Sequence, residues 1–322
     1  MTATNEPIKK VCLIGANGLV GSVILDYLLK AATFDVSILR RTNSSSSTKA
    51  AHEHLVTEIS ISPELGLEEL TSAFKGQDAV ILSVPLKDID MHMRIAEAAC
   101  TAGVRRFIPA EFGSDSTHPL AKEHLQLFRD KTEVREWCDK LVEKSIRAGG
   151  CFSWTAVACG LLFDDGLREG YWFFDLNKRT ARIMDGGTIR ASTCTITRAA
   201  QTVVAILQRP EATPNRLAFV QSFCPTQLEV LDALEKATGC TWTREPFEST
   251  TFLEQERRKL AAGELSLGAH VGSAGPVVSI LVGQNWAAKE DFAMRPLGLE
   301  DEVLDEVVSG VVASLEKETP TK

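Results

Sequence analysis

Three glycines at intervals of three, Gly15, Gly18 and Gly21, follow the apolar run Val11-Cys12-Leu13-Ile14 and open a helical period. In that period Val20, Val23, Ile24, Tyr27 and Leu28 recur on one face. A chain that passes from a buried strand through such a loop into an amphipathic helix is committed to a βα unit. The glycines serve a tight turn, a close backbone approach and the packing of helix on strand. Free N–H groups and the dipole at the helix start favour a negative charge there, as in a pyrophosphate. Gly15, Asn17, Gly18, Leu19, Val20 and Gly21 are therefore expected to cradle a dinucleotide.

The rhythm continues through the first half. Val36-Ser37-Ile38-Leu39 reads as a second strand, Leu55 to Ile61 as a third, and Ala79 to Val84 as a continuous apolar strand ended by Pro85. Helical patterns cover Gly66–Phe74, Ile95–Ala102 and the segment carrying Val134, Trp137, Cys138, Leu141 and Val142. Arg106-Phe107-Ile108 and Cys151 to Ala158 supply two more strands. Apolar strands alternating with helices imply an α/β fold, a doubly wound parallel (Rossmann) sheet covered on both faces. Residues 1–159 are assigned to it. Residues 160–322 are read as a second, smaller α/β substrate domain, with some segments returning to the sheet. A hairpin is expected around Trp172–Met184, and helices over Thr197–Leu207, Leu228–Thr238, Glu254–Ala262 and Val303–Leu315.

The second strand bears on which dinucleotide fits. An Asp or Glu about 20 residues after the loop would bond a ribose 2′-hydroxyl. Arg40 and Arg41 stand there instead, and no acidic residue falls between Asp35 and Glu53. A guanidinium suits a 2′-phosphate through two charge-assisted bonds, so NADPH is the expected cofactor. Ser83, Val84 and Pro85, at the end of the fourth strand, are expected to line it.

Composition removes other classes. Lys plus Arg total 35 against 43 Asp plus Glu, a net charge of -8, with no basic block for a nucleic-acid backbone. The eight cysteines form no CxxC pair and the six histidines no ligand constellation, so no metal site is expected and the thiols are read as reduced. The polar start and the glycine-broken stretch after it resemble neither a secretory leader nor a membrane span. A cytoplasmic protein with no nucleic-acid or membrane partner is the resulting expectation, and a homodimer is left open.

Four segments together resemble the NmrA-like, isoflavone-reductase-like branch of the atypical short-chain dehydrogenases. They are Gly15-Ala-Asn-Gly-Leu-Val-Gly21, Ile38-Leu39-Arg40-Arg41 with Lys49 nine residues on, Gly76-Gln-Asp-Ala-Val-Ile81 and Arg106-Phe-Ile-Pro-Ala-Glu-Phe-Gly-Ser-Asp115. The resemblance runs most clearly over about residues 8–165. It implies an NADPH-dependent reductase of small aromatic or conjugated metabolites, with Arg40, Arg41 and Lys49 at the 2′-phosphate and Glu111 near the nicotinamide. It also implies that Lys131, in Lys131-Thr-Glu-Val-Arg135, is catalytic and touches the cofactor. On one helix Arg135 lies a turn beyond Lys131, where a second cation disfavours the charged lysine. Phe112, Leu162 and Phe163 are candidates for a substrate pocket, with the core as the alternative for Leu162 and Phe163.

Two departures from the family stand out. The residue four before Lys131 is Leu127, so the Tyr-x-x-x-Lys pair of common short-chain dehydrogenases is missing; the two tyrosines are Tyr27 and Tyr171. Ala110 stands where the plant reductases carry Ser. What remains is a lysine-assisted hydride transfer or, alternatively, a redox-sensing regulator of the NmrA type that binds the dinucleotide without turnover. His92 is a further candidate proton relay, and His118 and His124 border the loop before Lys131.

Overall fold

Val11 and Leu13 face one side of strand β1 (Lys10–Ile14), Cys12 and Ile14 the other, and all four are buried. A strand covered on both faces has no room for alternation, which is why it reads as a continuous apolar run. The computed structural model describes residues 6–45, 52 and 54–318. After β1 come α1 (Leu19–Ala31), β2 (Asp35–Arg41), β3 (Thr57–Ile61), α2 (Leu67–Phe74), β4 (Ala79–Leu82) and α3 (Ile89–Thr101). Then follow β5 (Arg106–Ile108), α4 (Pro119–His124), α5 (Gln126–Arg147), β6 (Ser153–Ala158) and α6 (Phe163–Arg168).

The second half holds β7 (Phe174–Asp175), β8 (Thr180–Met184), α7 (Ile196–Gln208), β9 (Arg216–Phe219), α8 (Gln227–Thr238) and β10 (Thr243–Phe247). It ends with α9 (Ser249–Ala261), α10 (Leu267–Val282), α11 (Met294–Leu297) and α12 (Leu304–Glu318). Seven strands form one parallel sheet in the order β3-β2-β1-β4-β5-β6-β9. The fold is thus α/β and doubly wound. β9 and α7 come from the second half: β9 extends the sheet beside β6, and α7 packs on α1.

Two apolar clusters sandwich the sheet. Ile24 and Leu28 of α1 with Val203 and Ile206 of α7 cover one face; Phe74, Ile95, Val134 and Leu141 from α2, α3 and α5 cover the other. A third cluster, around Trp172, Phe174, Leu231, Trp242 and Val277, holds the rest of the second half together. The expected hairpin is present, β7 antiparallel to β8, with β10 added in parallel to β8.

Helix ends differ from the sequence reading where caps outweigh apolar period. Asp88 accepts the Met91 N–H at 3.1 Å, so α3 starts at Ile89 rather than Ile95. The segment 267–282 carries Gly268, Gly272, Gly275 and Pro276, which argue against helix. It is nevertheless the 16-residue α10, capped by Ser266, whose Oγ accepts the Ala269 N–H. Among the described residues no helix is long and apolar enough to cross a membrane.

The strand order reverses beside β1, with β2 on one side and β4 on the other. Open α/β sheets bind ligands outside the strand ends at such a switch point. The glycine loop after β1 and the Ser83–Pro85 segment after β4 meet there.

Candidate active site

Gly15 has φ of +89°, and a Cβ there would stand 2.2 Å from the Ser83 carbonyl oxygen. One on Gly21 would stand 2.0 Å from the carbonyl oxygen of Gly15. Only hydrogen fits at either place, so the loop packs directly against the end of β4 and the start of α1 faces the crevice. A cavity of about 620 Å³ runs from Gly15, Asn17 and Gly18 to Arg40, Arg41 and Ser44. The β2–β3 register brings Glu58 beside Arg40, and the two pair at 3.3 Å. That carboxylate orients the guanidinium at the cavity's edge and leaves Arg41 exposed beside it. Lys49 lies outside the described residues.

A second cavity, about 790 Å³, continues the first through the residues they share: Gly18, Ser83, Val84, Pro85 and Lys87. Leu19, Val20, Ala110, Glu111, Phe112 and Lys131 line its inner part. The loop after β5 forms the floor. Its Gly113 carbonyl accepts the N–H groups of Cys159 and Gly160 at 2.9 and 3.0 Å, tying it to the end of β6. Phe112 has φ of +29°, a conformation strained for a non-glycine residue and held by these neighbours.

Lys131, on α5, is 8% exposed. Its ammonium donates to the Glu111 carbonyl oxygen and stands 4.0 Å from the Glu111 carboxylate. The Phe128 ring centroid is 5.7 Å from Nζ. Burial pushes the Lys131 pKa below the ordinary lysine range; Glu111 opposes the shift, and Arg135 adds to it only weakly. Arg135, one turn along the helix, is expected to disfavour the charged lysine, and burial outweighs it. In the structure that guanidinium is occupied at 2.6 Å by the Glu111 carboxylate, which also accepts from Ser116 Oγ at 2.7 Å. Glu111 thus engages Arg135 and Ser116 through its carboxylate and Lys131 through its carbonyl.

Beyond Lys131 lies a third cavity of about 310 Å³, mostly apolar. Phe112, Leu127, Lys131 and Val271 line both it and the second cavity, so Lys131 stands where the two meet. Phe112 and Leu162 line this pocket. Phe163 does not: it is fully buried, edge-on to Trp172 and Phe223 at centroid distances of 5.4 and 4.7 Å. The remaining walls come from Leu125 and Phe128, from Tyr171, and from Val271, Gly275 and Pro276 of α10. The sequence reading missed these, because α10 is concealed by its glycines and proline and because Leu125 and Phe128 precede the apolar period that marks the later part of α5.

The histidines divide. His92 is 1% exposed, bonded to the Pro85 backbone, and lowered by burial to about 4, which keeps it neutral. It lines none of these three cavities. His118 caps α4 by accepting the Leu120 N–H at 3.2 Å. His124 lines the second cavity, its pKa lowered by burial and by Arg257. Among the described residues no group of His, Cys, Asp and Glu has the arrangement of a metal site.

Comparison with known proteins agrees with this architecture. A profile of the NmrA-like family matches residues 7–270. The oxidoreductase aprR of Aspergillus flavus is 31% identical over 310 residues, covering 94% of this chain and 98% of its own. Among solved structures, the leucoanthocyanidin reductase–NADPH complex from Vitis vinifera superposes with a TM-score of 0.73 at 19% identity, over 94% of this chain and 99% of that one. AtPrR2 with NADP+ and (+)pinoresinol gives 0.71 at 20% identity, over 95% and 99%.

Proposed function

The chain belongs to the NmrA-like family and is an oxidoreductase of it, and on that premise we propose that it is an NADPH-dependent reductase of a small aromatic or conjugated substrate. One observation carries the reading: the buried Lys131 stands at the junction between the cleft over the glycine loop and an apolar pocket large enough for a small molecule.

The cleft suits the cofactor on its own chemistry. Gly15 and Gly21 leave the space a Cβ would fill, the α1 start offers backbone N–H groups to a diphosphate, and Arg40 and Arg41 offer charge to a 2′-phosphate. Bound there, NADPH would supply a hydride to an electrophilic carbon of the substrate. Phe112, Leu162 and Phe128 exclude water from that carbon and orient the flat face of a conjugated system. Lys131 holds the balancing proton at Nζ, where burial makes its release easier than from a solvated lysine. The Glu111 carbonyl fixes the direction of Nζ. Cytoplasmic residence belongs to the same reading.

The resemblance also allowed a sensor without turnover. Relatives named as oxidoreductases favour the enzyme. The test is NADPH oxidation against a panel of enones, quinone methides, imines and benzylic ethers, with NADPH binding measured in parallel. Turnover of at least one class is expected. Tight NADPH binding with no turnover of any class would favour the sensor.

A further inference from the structure

The third cavity is apolar apart from a few groups, and two of these are unspent. Ser114, which lines it, is 2% exposed, and its Oγ has no hydrogen-bond partner. A buried hydroxyl left unmatched is costly unless something else meets it. Asp165, on α6, lines the same cavity, and no hydrogen bond or ion pair engages its carboxylate among the described residues.

The neighbours of Asp165 are already committed. Asp164 accepts the Ile196 N–H at 2.9 Å, and Arg168 donates to Ser314 Oγ at 3.0 Å. Burial raises the Asp165 pKa, Glu169 and Asp164 add to the rise, and Arg168 opposes it in part. Tyr171, tied to α6 by its N–H to the Gly166 carbonyl at 2.7 Å, completes that wall. The pocket therefore has Lys131 on one wall and, on another, a carboxylate that no hydrogen bond or ion pair among the described residues engages.

We propose that Asp165 is a specificity-determining residue that selects substrates bearing a hydrogen-bond donor, a phenolic hydroxyl or a protonated amine, on the part of the molecule lying against α6, and that rejects carboxylates there. This rests on the reading of the cavity as the substrate pocket. A carboxylate accepting from a donor gives a charge-assisted bond, whereas a second carboxylate beside it is repelled. Ser114 Oγ, three residues after the carbonyl that holds Lys131, is placed to meet a further polar atom of the same ligand.

The test is calorimetric titration of the NADP+-loaded protein with four probes: 4-hydroxybiphenyl, 4-(aminomethyl)biphenyl, 4-methoxybiphenyl and biphenyl-4-carboxylate. Wild type is expected to bind the hydroxyl or amine probe, or both, roughly tenfold or more tightly than the methoxy probe. The carboxylate should bind most weakly. Asp165→Ala should bring hydroxyl, amine and methoxy probes to within about threefold of one another and improve the carboxylate; the two donor arms distinguish phenol from amine selection. Gly275→Phe, a helix position whose Cβ would point at Leu125 from 4.0 Å away across the pocket lining, should block all four. Binding that Gly275→Phe blocks but in which wild type already treats the probes alike, or in which Asp165→Ala keeps the preference, overturns donor selection and leaves the pocket reading standing. Binding untouched by Gly275→Phe, or no binding of any probe, overturns both.

Discussion

The two sides of Lys131 are built differently. On the cofactor side the lining is largely backbone and short loops: the glycine turn after β1, Ser83–Pro85 after β4, and two arginines at the end of β2. On the pocket side it is side chains from separated segments, the β5 loop, α5, α6 and α10. A backbone cradle requires glycine at fixed places, as the 2.0 and 2.2 Å clearances at Gly21 and Gly15 demonstrate. An apolar wall requires only volume, which many residues supply. The first side is therefore constrained by general chemistry and the second is free to define a substrate.

If that division is right, perturbations on the two sides should separate. The largest effect is expected at Lys131. With the proton-transfer role proposed for it and no part in holding the diphosphate, Lys131→Ala should lower turnover by about 10²–10⁴ while leaving the NADPH Kd within a few fold. Lys131→Arg should not restore the rate, since a guanidinium holds its proton near neutral pH. Steady-state kinetics beside titration of NADPH checks both; equal losses in binding and turnover would merge the two sides.

Next is His92, buried on α3 and lining none of the three cavities. Its folded value is depressed to about 4 by burial, against about 6.5 in an unfolded chain. The stability linked to it is full above pH 6.5 and is lost as pH falls toward 4, because only the unfolded chain readily takes up the proton. The loss is on the order of 3 kcal/mol. Urea unfolding of His92→Gln should show a flatter profile over that window, and an unchanged slope would place the acid sensitivity elsewhere.

On the cofactor side, wild type should bind NADPH more tightly than NADH by about 10- to 100-fold, one charge-assisted contact. Arg40→Glu should erase most of that. Glu58 also bears on the result: it already orients the guanidinium at 3.3 Å, so Glu58→Gln should weaken the preference by only a small factor. Calorimetry that finds equal wild-type affinities would remove Arg40 from the 2′-phosphate site.

Legibility in the sequence follows the same division. Gly15 to Gly21 and Arg40 could be read because their spacing along the chain is itself the geometry. Glu58 could not be paired with Arg40 without the β2–β3 register, which sets Ser60 opposite Arg40 and Glu58 two residues before it, diagonally across the strands. The doubly wound sheet was readable from continuous apolar strands, whereas α10 was concealed by Gly272, Gly275 and Pro276. Phe163 and Phe128 look alike as apolar aromatics. Only packing shows that the first is core against Trp172 and that the second lies under Lys131.

The most direct test of the account is the pH dependence of single-turnover hydride transfer in wild type and Lys131→Ala, using a substrate found in the panel. Burial should bring the ionisation of Lys131 below the ordinary lysine value of about 10.4, so the wild-type rate should fall as pH rises through that lowered value and the donor proton is lost. The variant should be slow and lack that limb. The same limb at the same pH in both proteins would contradict the account, because the proton would then come from a group other than Lys131.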